Sequence, residues 1–459
     1  MSLPIVTPCD SVEEIRTRLR QTPLGAVRQM LPDRAILEAC RACNHRFRRR
    51  LYDPVVTVLH YLAQALQRED SFAATWHDLW TPAVADVPGT AEVVPDPSGL
   101  THARSRLPVG VLRHLAARAI HQTPYPARRW RGLRLLALDG TSVSMPRAAA
   151  LFEHYGAHRA RTTTVRYPLA RFCCLLAVGT SAVVDYRFGP FTTTETAMAT
   201  EMLGGVGPGD LVLGDRYFAG SPTLARLLAH GADFLMRKNA RLIVDRLPVV
   251  RRLGRDDFIT DLPMSKPARR QDPTLPRTAR IRIFRATWTT PAGEVLSEWF
   301  VTSLRNAQRF RRRTLAKLYH QRWRIETSYL EFKHTFHGDV LRSKTVANVE
   351  KEFAAHVLAY QLVRRLMLAA AAKHHRKPTE ISLLGAARLV VRFSHHMAAA
   401  PPSALPIYYD RLLDAIAATQ VDVRPGRLEP RALTREWKHY PHLRMTRSAW
   451  RNQRLRRTR

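Results

Sequence analysis

Apolar and polar positions along the chain follow two periods, and the change from one to the other divides it. Up to about Arg128 the spacing is helical. SVEEIRTRLRQ opens with Ser11 and Glu14 in a capping-box arrangement, and DPVVTVLHYLAQALQ, Asp53 to Gln67, repeats apolar residues every three or four positions behind an Asp-Pro start. TPAVADVPGTAEVVPDPSG, rich in Pro and Gly, interrupts that spacing before LTHARSRLPVGVLRHLAARAI resumes it. The pattern predicts a helical N-terminal domain over residues 1–128.

From Leu133 the apolar runs shorten to strand length. LRLLALDGTSVSM, RFCCLLAVG and AVVDYRFGP read as three strands, TTTETAMATEMLGGVGPG as a helix closed by glycines, and DLVLGDRYF as a fourth strand ending in Asp215. SPTLARLLAHG then reads as a helix and ADFLMRKN as a fifth strand. Three strands, helix, strand, helix, strand is the element order of a ribonuclease H-like domain. The expected fold is therefore α/β, with a ribonuclease H-like catalytic domain over 129–375. Alternating stretches such as ARIRIFRATWTT and EVLSEWFVTSL predict an inserted, mostly β module at about 240–304. Helical spacing returns at Arg309 and again from about Thr345. The last part, 376–459, is expected to be a helical C-terminal region ending in the basic tail MTRSAWRNQRLRRTR.

Charge narrows the partner. The 459 residues hold 73 Lys and Arg against 38 Asp and Glu, a formal net charge of +35. Self-repulsion on that scale points to a polyanionic partner, with nucleic acid first. No apolar run reaches the roughly 20 residues of a spanning helix, and MSLPIVTPCDSVEEI lacks the basic start and apolar core of a secretory signal. A cytoplasmic, nucleoid-associated protein with no membrane partner is expected. The five cysteines are odd in number and scattered, as in a reducing compartment. Cys40, Cys43 and His45 make half a zinc site with no second pair, or ordinary helix residues. Cys173 and Cys174 are expected in the core.

The candidate chemistry lies in carboxylates. Asp139 and Asp215 each end an apolar strand, a position where a turn residue is common. With Glu326 on a later helix they form a possible trio, whose mutual repulsion divalent cations would relieve; two such cations are what in-line phosphoryl transfer uses. Glu326 sits in YHQRWRIETSYLEFK. On one continuous helix, at about 100° per residue, Tyr319, Arg322, Glu326 and Lys333 project within roughly 60° of one another. Leu318, Ile325, Tyr329, Phe332 and Phe336 form an apolar stripe beside them. Arg322 and Glu326 at i, i+4 also describe an ordinary surface ion pair. That pair leaves Lys333 and the two Asp-ended strands unexplained.

Tyr319, two residues, Arg322, three residues, Glu326, six residues and Lys333 together resemble the Tyr-Arg-Glu-Lys signature of bacterial insertion-sequence transposases of the Insertion Sequence 4 type. LALDGTSVSMP and LVLGDRYFAG resemble that family's two Asp segments, LRSKTVANVEKEFAAHVLAYQLVRRLM its region after the signature, and DPVVTVLHYLAQALQREDS its N-terminal domain. The resemblance runs from about Leu51 to Leu368.

The resemblance implies a DDE transposase in which Asp139, Asp215 and Glu326 are catalytic and hold two Mg²⁺ ions, with Mn²⁺ able to take their place. Tyr319, Arg322 and Lys333 would contact DNA-end phosphates. It implies an inserted β module whose Trp contacts a flipped base in relatives that cut through a hairpin: Trp299 by position, with Trp288 second, and a core Trp as the plain alternative. The implied reaction is metal-dependent cut-and-paste cleavage and strand transfer on terminal inverted repeats and target DNA, by a homodimer in the synaptic complex. Two rivals are a ribonuclease H-like nuclease without strand transfer, such as a junction resolvase, and a non-catalytic DNA-binding protein derived from a transposase.

Overall fold

A computed structural model of the chain describes residues 8–21, 25–48, 50–67, 72–84, 97–125, 129–157, 167–289 and 295–421. The stretches of helical spacing ahead of Arg128 form α1 (Pro8–Gln21), α2 (Gly25–Met30), α3 (Asp33–Ala42), α4 (Pro54–Leu66), α5 (Phe72–Val84), α6 (Ser98–Arg106) and α7 (Val109–His121). The start of α4 follows from its sequence. Asp53 accepts the Val56 N–H at 3.0 Å, and Pro54 takes the first position, where no donor is needed. By contrast α1 begins at Pro8, so Ser11 lies inside the helix and the capping-box expectation fails. Pro, with φ already helical, sets the start instead.

The strand region runs β1 (Arg134–Ser144), α8 (Ala149–Tyr155), β2 (Leu169–Ala177), β3 (Ala182–Pro190), α9 (Glu195–Met202), β4 (Asp210–Gly214), α10 (Ser221–Ala229) and β5 (Asp233–Arg237). The short α8 is the one element here beyond the expected order. After it come β6 (Val249–Gly254), β7 (Asp257–Pro263), α11 (Lys266–Gln271), β8 (Thr278–Thr289) and β9 (Val295–Thr302). All nine strands make one sheet in the order β3-β2-β1-β4-β5-β9-β8-β7-β6. β4 runs parallel to β1 and to β5, and the other neighbours are antiparallel. Because β9 pairs with β5, the inserted strands continue the central sheet instead of forming a body of their own. The fold is mixed α/β.

Alternate residues of the strands enter different cores, as the strand period requires. Ala137, Leu213 and Leu235 join a core with the N-terminal and C-terminal helices. Leu136, Leu138, Val212, Phe234 and Met236 join another with residues of α9 and α10. The rest of the chain forms α12 (Arg312–Tyr319), α13 (Trp323–Phe336), α14 (Val346–Lys373), α15 (Leu383–Ala399) and α16 (Leu405–Ala418). α14 is buried along most of its length and packs against α4, α7, α15 and α16. Its buried Lys351 donates to the carbonyls of Arg104 (2.7 Å) and Ser105 (3.1 Å) at the end of α6, groups that no later helical turn could satisfy.

The one continuous helix expected across Tyr319–Lys333 is two helices joined by a 3₁₀ turn at His320–Arg322. Each half docks on different strands. The Tyr319 ring packs on Phe300 of β9 at 5.1 Å, whereas Tyr329 and Phe332 pack on Phe172 of β2 at 5.5 and 5.6 Å. The turn reconciles the two dockings. The apolar stripe is buried throughout: Leu318, Ile325, Tyr329, Phe332 and Phe336 are all core residues. So are Cys40, Cys173 and Cys174, which are free thiols. Among the described residues no helix is long and apolar enough to cross a membrane. The described residues all belong to one unit, Met1–Val421; the basic tail, within Asp422–Arg459, and residues 85–96 of the Pro- and Gly-rich stretch lie outside the described residues.

Candidate active site

Asp139 and Asp215 are brought together by strand register. Leu138 of β1 pairs with Gly214 of β4 at the end of their parallel ladder, and each Asp is the next residue along its strand. The carboxyl ends of parallel strands are the usual place for a site in such a sheet. Both side chains are fixed by their own backbone. Asp139 Oδ1 accepts the Gly140 N–H at 2.8 Å, and Asp215 Oδ1 accepts the Tyr217 N–H at 2.7 Å in an Asx turn. Burial pushes the Asp139 carboxyl up to about 6, and the negative charges of Asp215 and Glu195 act in the same direction. The Gly140 N–H and the Arg322 guanidinium oppose that rise.

The turn between α12 and α13 places a cation over this pair. Arg322 is 9% exposed; its guanidinium donates to Asp139 Oδ2 at 3.3 Å and to Glu326 Oε1 at 2.6 Å. The expected Arg322–Glu326 ion pair therefore exists, but it is tied to the first Asp rather than lying on an open surface. Tyr319 is 5% exposed, with the Arg322 guanidinium 5.8 Å from its ring centre. Burial raises its phenol to about 12. The Tyr319 hydroxyl and the Arg322 Nε are buried donors with no hydrogen-bond partner. Unmet buried donors of this kind are uncommon and call for a ligand or a water.

The remaining candidates are spread out. Lys333 is half-buried on α13, seven residues past Glu326, and makes no hydrogen bond or ion pair among the described residues. Trp299 is half-buried and packs against the core that holds α9 and α10 residues, whereas its neighbour Phe300 faces Tyr319. Trp288, on β8, packs on the Tyr319 side and meets His320 edge-on at 5.2 Å. His334 is exposed, and His337 closes α13 in a left-handed conformation.

Tyr329, read from the sequence only as part of the apolar stripe, and Arg237 and Glu195, which the sequence did not mark, belong to the same neighbourhood. Tyr329 donates from its hydroxyl to the Asp139 carbonyl at 2.6 Å, which fastens α13 to β1. Arg237, at the end of β5, is ion-paired with Glu298. Burial and then the nearby Arg216 lower its pKa, and Asp215, Tyr319 and Arg322 are close enough to act on it. Glu195, from the first turn of α9, pairs with Arg171 of β2 behind Gly140. An Arg at the end of a strand or a Glu opening a helix carries no local mark of such a role.

A carboxylate set of this kind offers hard oxygen ligands, and like charges side by side in a half-buried site are what a divalent cation neutralises, so Asp139 and Asp215 fit the cation expected from the sequence. Glu326 is joined to them through Arg322: among the described residues no three His, Cys, Asp or Glu side chains stand close enough to form a metal-holding group.

Residues 130–362 match the profile of a family described as "Transposase DDE domain". The chain is 27% identical over 357 residues to the transposase InsG for insertion sequence element IS4 of Escherichia coli strain K12, covering 75% of this chain and 78% of that protein. A structure of the piggyBac transposase in a synaptic complex with hairpin DNA aligns over 88% of this chain and 86% of its own, at 10% identity and a TM-score of 0.46.

Proposed function

This chain belongs to the transposase DDE domain family and is a DDE transposase, and on that premise we propose that it binds the terminal inverted repeats of its own insertion sequence and moves the element by metal-dependent cut-and-paste cleavage and strand transfer. The observation that carries this reading is the meeting of Asp139 and Asp215 where the parallel β1–β4 ladder stops, Asp139 inside β1, which runs on to Ser144 instead of ending at the Asp as its apolar run suggested, and Asp215 just past β4, with Arg322 linking Asp139 to Glu326 from the turn before α13.

Asp139, Asp215 and Glu326 would hold two Mg²⁺ ions, or Mn²⁺ in their place. The chemistry such ions supply when bound is a lowered pKa for the attacking water or 3′ hydroxyl and charge stabilisation at the leaving oxygen. The protein's own part is to place the phosphate. The unpartnered Tyr319 hydroxyl and Arg322 Nε offer it two buried donors, and Lys333 adds a second cation from α13. Occupation of Arg322 by a phosphate would release Glu326 toward the two Asp carboxylates. For an aromatic contact from the inserted strands, Trp288 is better placed than the Trp299 expected from the sequence, because it lies beside His320 on the Tyr319 side.

The strand order β3-β2-β1-β4-β5, with β1, β4 and β5 parallel, supports a ribonuclease H-like assignment. In this reading residues 1–128 form a helical DNA-binding domain, 129–375 the catalytic domain with the β insertion at about 240–304, and 376–459 a helical region with a basic tail. The protein would act in the cytoplasm on the nucleoid, as a homodimer when two ends are synapsed.

The test uses DNA ending in the inverted repeats that flank the gene, labelled at one strand, with Mg²⁺ and a target plasmid. Cleavage at the repeat followed by joining to the plasmid is expected, and neither should occur with Asp139→Asn or Glu326→Gln. Cleavage that never leads to joining would favour a junction-resolving nuclease instead.

A further inference from the structure

Glycine within a strand costs stability and often marks the close approach of another group. Gly140 follows Asp139 in the middle of β1, and the approaching group is a side chain. A Cβ at this position would stand 2.5 Å from the carboxyl carbon of Glu195, 2.6 Å from its Cγ and 2.9 Å from its Oε1. Glu195 therefore occupies the space that a residue-140 side chain would fill. It is the first residue of α9, whose Thr194 cap accepts the Ala197 N–H at 3.2 Å. Its carboxylate is held there by Arg171 of β2, whose guanidinium also donates to the Phe191 carbonyl at 3.1 Å.

These contacts form a path through the sheet. Arg171 anchors Glu195, Glu195 lies on the Gly140 backbone, and the Gly140 N–H orients the Asp139 carboxylate at 2.8 Å. An ordinary ion pair at a sheet end would leave residue 140 free to carry a side chain. Here the Arg171–Glu195 pair and the missing side chain are parts of one arrangement.

We propose that Glu195 is a positioning residue for Asp139: held by Arg171, it fixes the Asp139–Gly140 peptide and so aims the Asp139 carboxylate at the cation. This rests on the reading of Asp139 as a metal ligand. Outer partners of metal ligands act in this way, and losing one typically weakens metal affinity about 10- to 100-fold. Glu195 touches no substrate and is not itself a ligand in this account. Its negative charge also adds to the potential that draws a cation to the strand ends.

The experiment measures Mn²⁺ binding to the full-length protein without DNA, from the spectrum of the free ion, together with thermal unfolding. Glu195→Gln, which keeps the shape and removes the charge, should weaken Mn²⁺ binding about tenfold. Gly140→Ala should do the same by displacing Glu195. In a Glu195→Ala background the added Gly140→Ala should change affinity less than about twofold, since the clash has gone, a non-additivity that independent sites do not show.

Asp139→Asn separates the two levels of the claim. If it binds Mn²⁺ like the wild type, the ligand assignment fails and this inference with it. If it weakens binding while Glu195→Gln stays within twofold of wild type, the assignment stands and the positioning role is wrong. A Glu195→Gln protein that unfolds at lower temperature with unchanged Mn²⁺ affinity would reduce the pair to a structural salt bridge. Should Gly140→Ala not fold, Glu195→Gln against wild type decides.

Discussion

Arg322 is shared between two carboxylates: its guanidinium reaches Asp139 Oδ2 at 3.3 Å and Glu326 Oε1 at 2.6 Å, and its Nε is left buried without a partner. A planar fork can make both contacts at once, and a Lys ammonium cannot reproduce them with the same geometry. Arg322→Ala is expected to slow cleavage of a labelled transposon end by about 100-fold, the scale of losing one preorganised donor. Arg322→Lys should recover less than a tenth of that loss. Full recovery with Lys would mean that only charge matters there.

Asp139 gives a pH signature. Its carboxyl titrates near 6 in the folded protein because it is buried, against an unfolded value near 4. Between those values the folded state holds a proton that the unfolded chain has lost, so stability falls as pH rises through that window and is flat above it. Asp139→Asn removes the titration. It should be more stable than wild type at pH 7 by about 1 kcal/mol, less than the full shift implies because Arg322 loses a charged partner, with no such gain at pH 4. Urea unfolding at the two pH values measures this, and equal differences at both would disprove it.

Tyr329 joins α13 to β1 through a 2.6 Å hydrogen bond to the Asp139 carbonyl. Tyr329→Phe keeps the ring packed on Phe172 and removes only the hydroxyl. A stability loss of about 1 kcal/mol is expected. End cleavage should fall several-fold and end binding should stay within twofold, as gel shift and cleavage on the same labelled DNA would reveal.

The inserted strands are held by a buried charge pair. Arg282, 0% exposed, donates to both oxygens of Asp257 at 2.8 and 2.7 Å and to the Phe310 carbonyl at 2.7 Å. Removing one partner strands the other charge. Asp257→Ala is expected to cost about 3–5 kcal/mol, read as a lower urea midpoint, whereas Asp261→Ala, whose Arg280 partner is largely exposed, should leave the midpoint nearly unchanged.

The two tryptophans should separate by assay. Trp299→Ala removes a half-buried ring packed against the core that holds α9 and α10 residues and is expected to lower stability by about 1–2 kcal/mol. Trp288→Ala should act mainly on end binding, by about 1–3 kcal/mol if an unstacked base rests on it. Loss of end binding with Trp299→Ala alone, at unchanged stability, would reverse the assignment.

Local pattern determined much of this protein. Short apolar runs leading to Asp139 and Asp215, the Asp-Pro start of α4 and the spacing of Tyr319, Arg322, Glu326 and Lys333 are properties of a few neighbouring residues, and the physics that reads them is equally local. What the tertiary structure alone decided involves residues far apart in the chain. The helix across Tyr319–Lys333 breaks at His320–Arg322 because its halves dock on β9 and β2. The inserted strands become part of the central sheet because β9 finds β5. Trp299 lies on the sheet face that carries α9 and α10 while Trp288 meets His320 on the other, since strand register, not composition, selects the face a side chain takes. Glu195 reaches Gly140 from 55 positions along the chain only because β2 and α9 pack where they do. Such pairings are fixed by packing across the whole domain, and no window of sequence contains them.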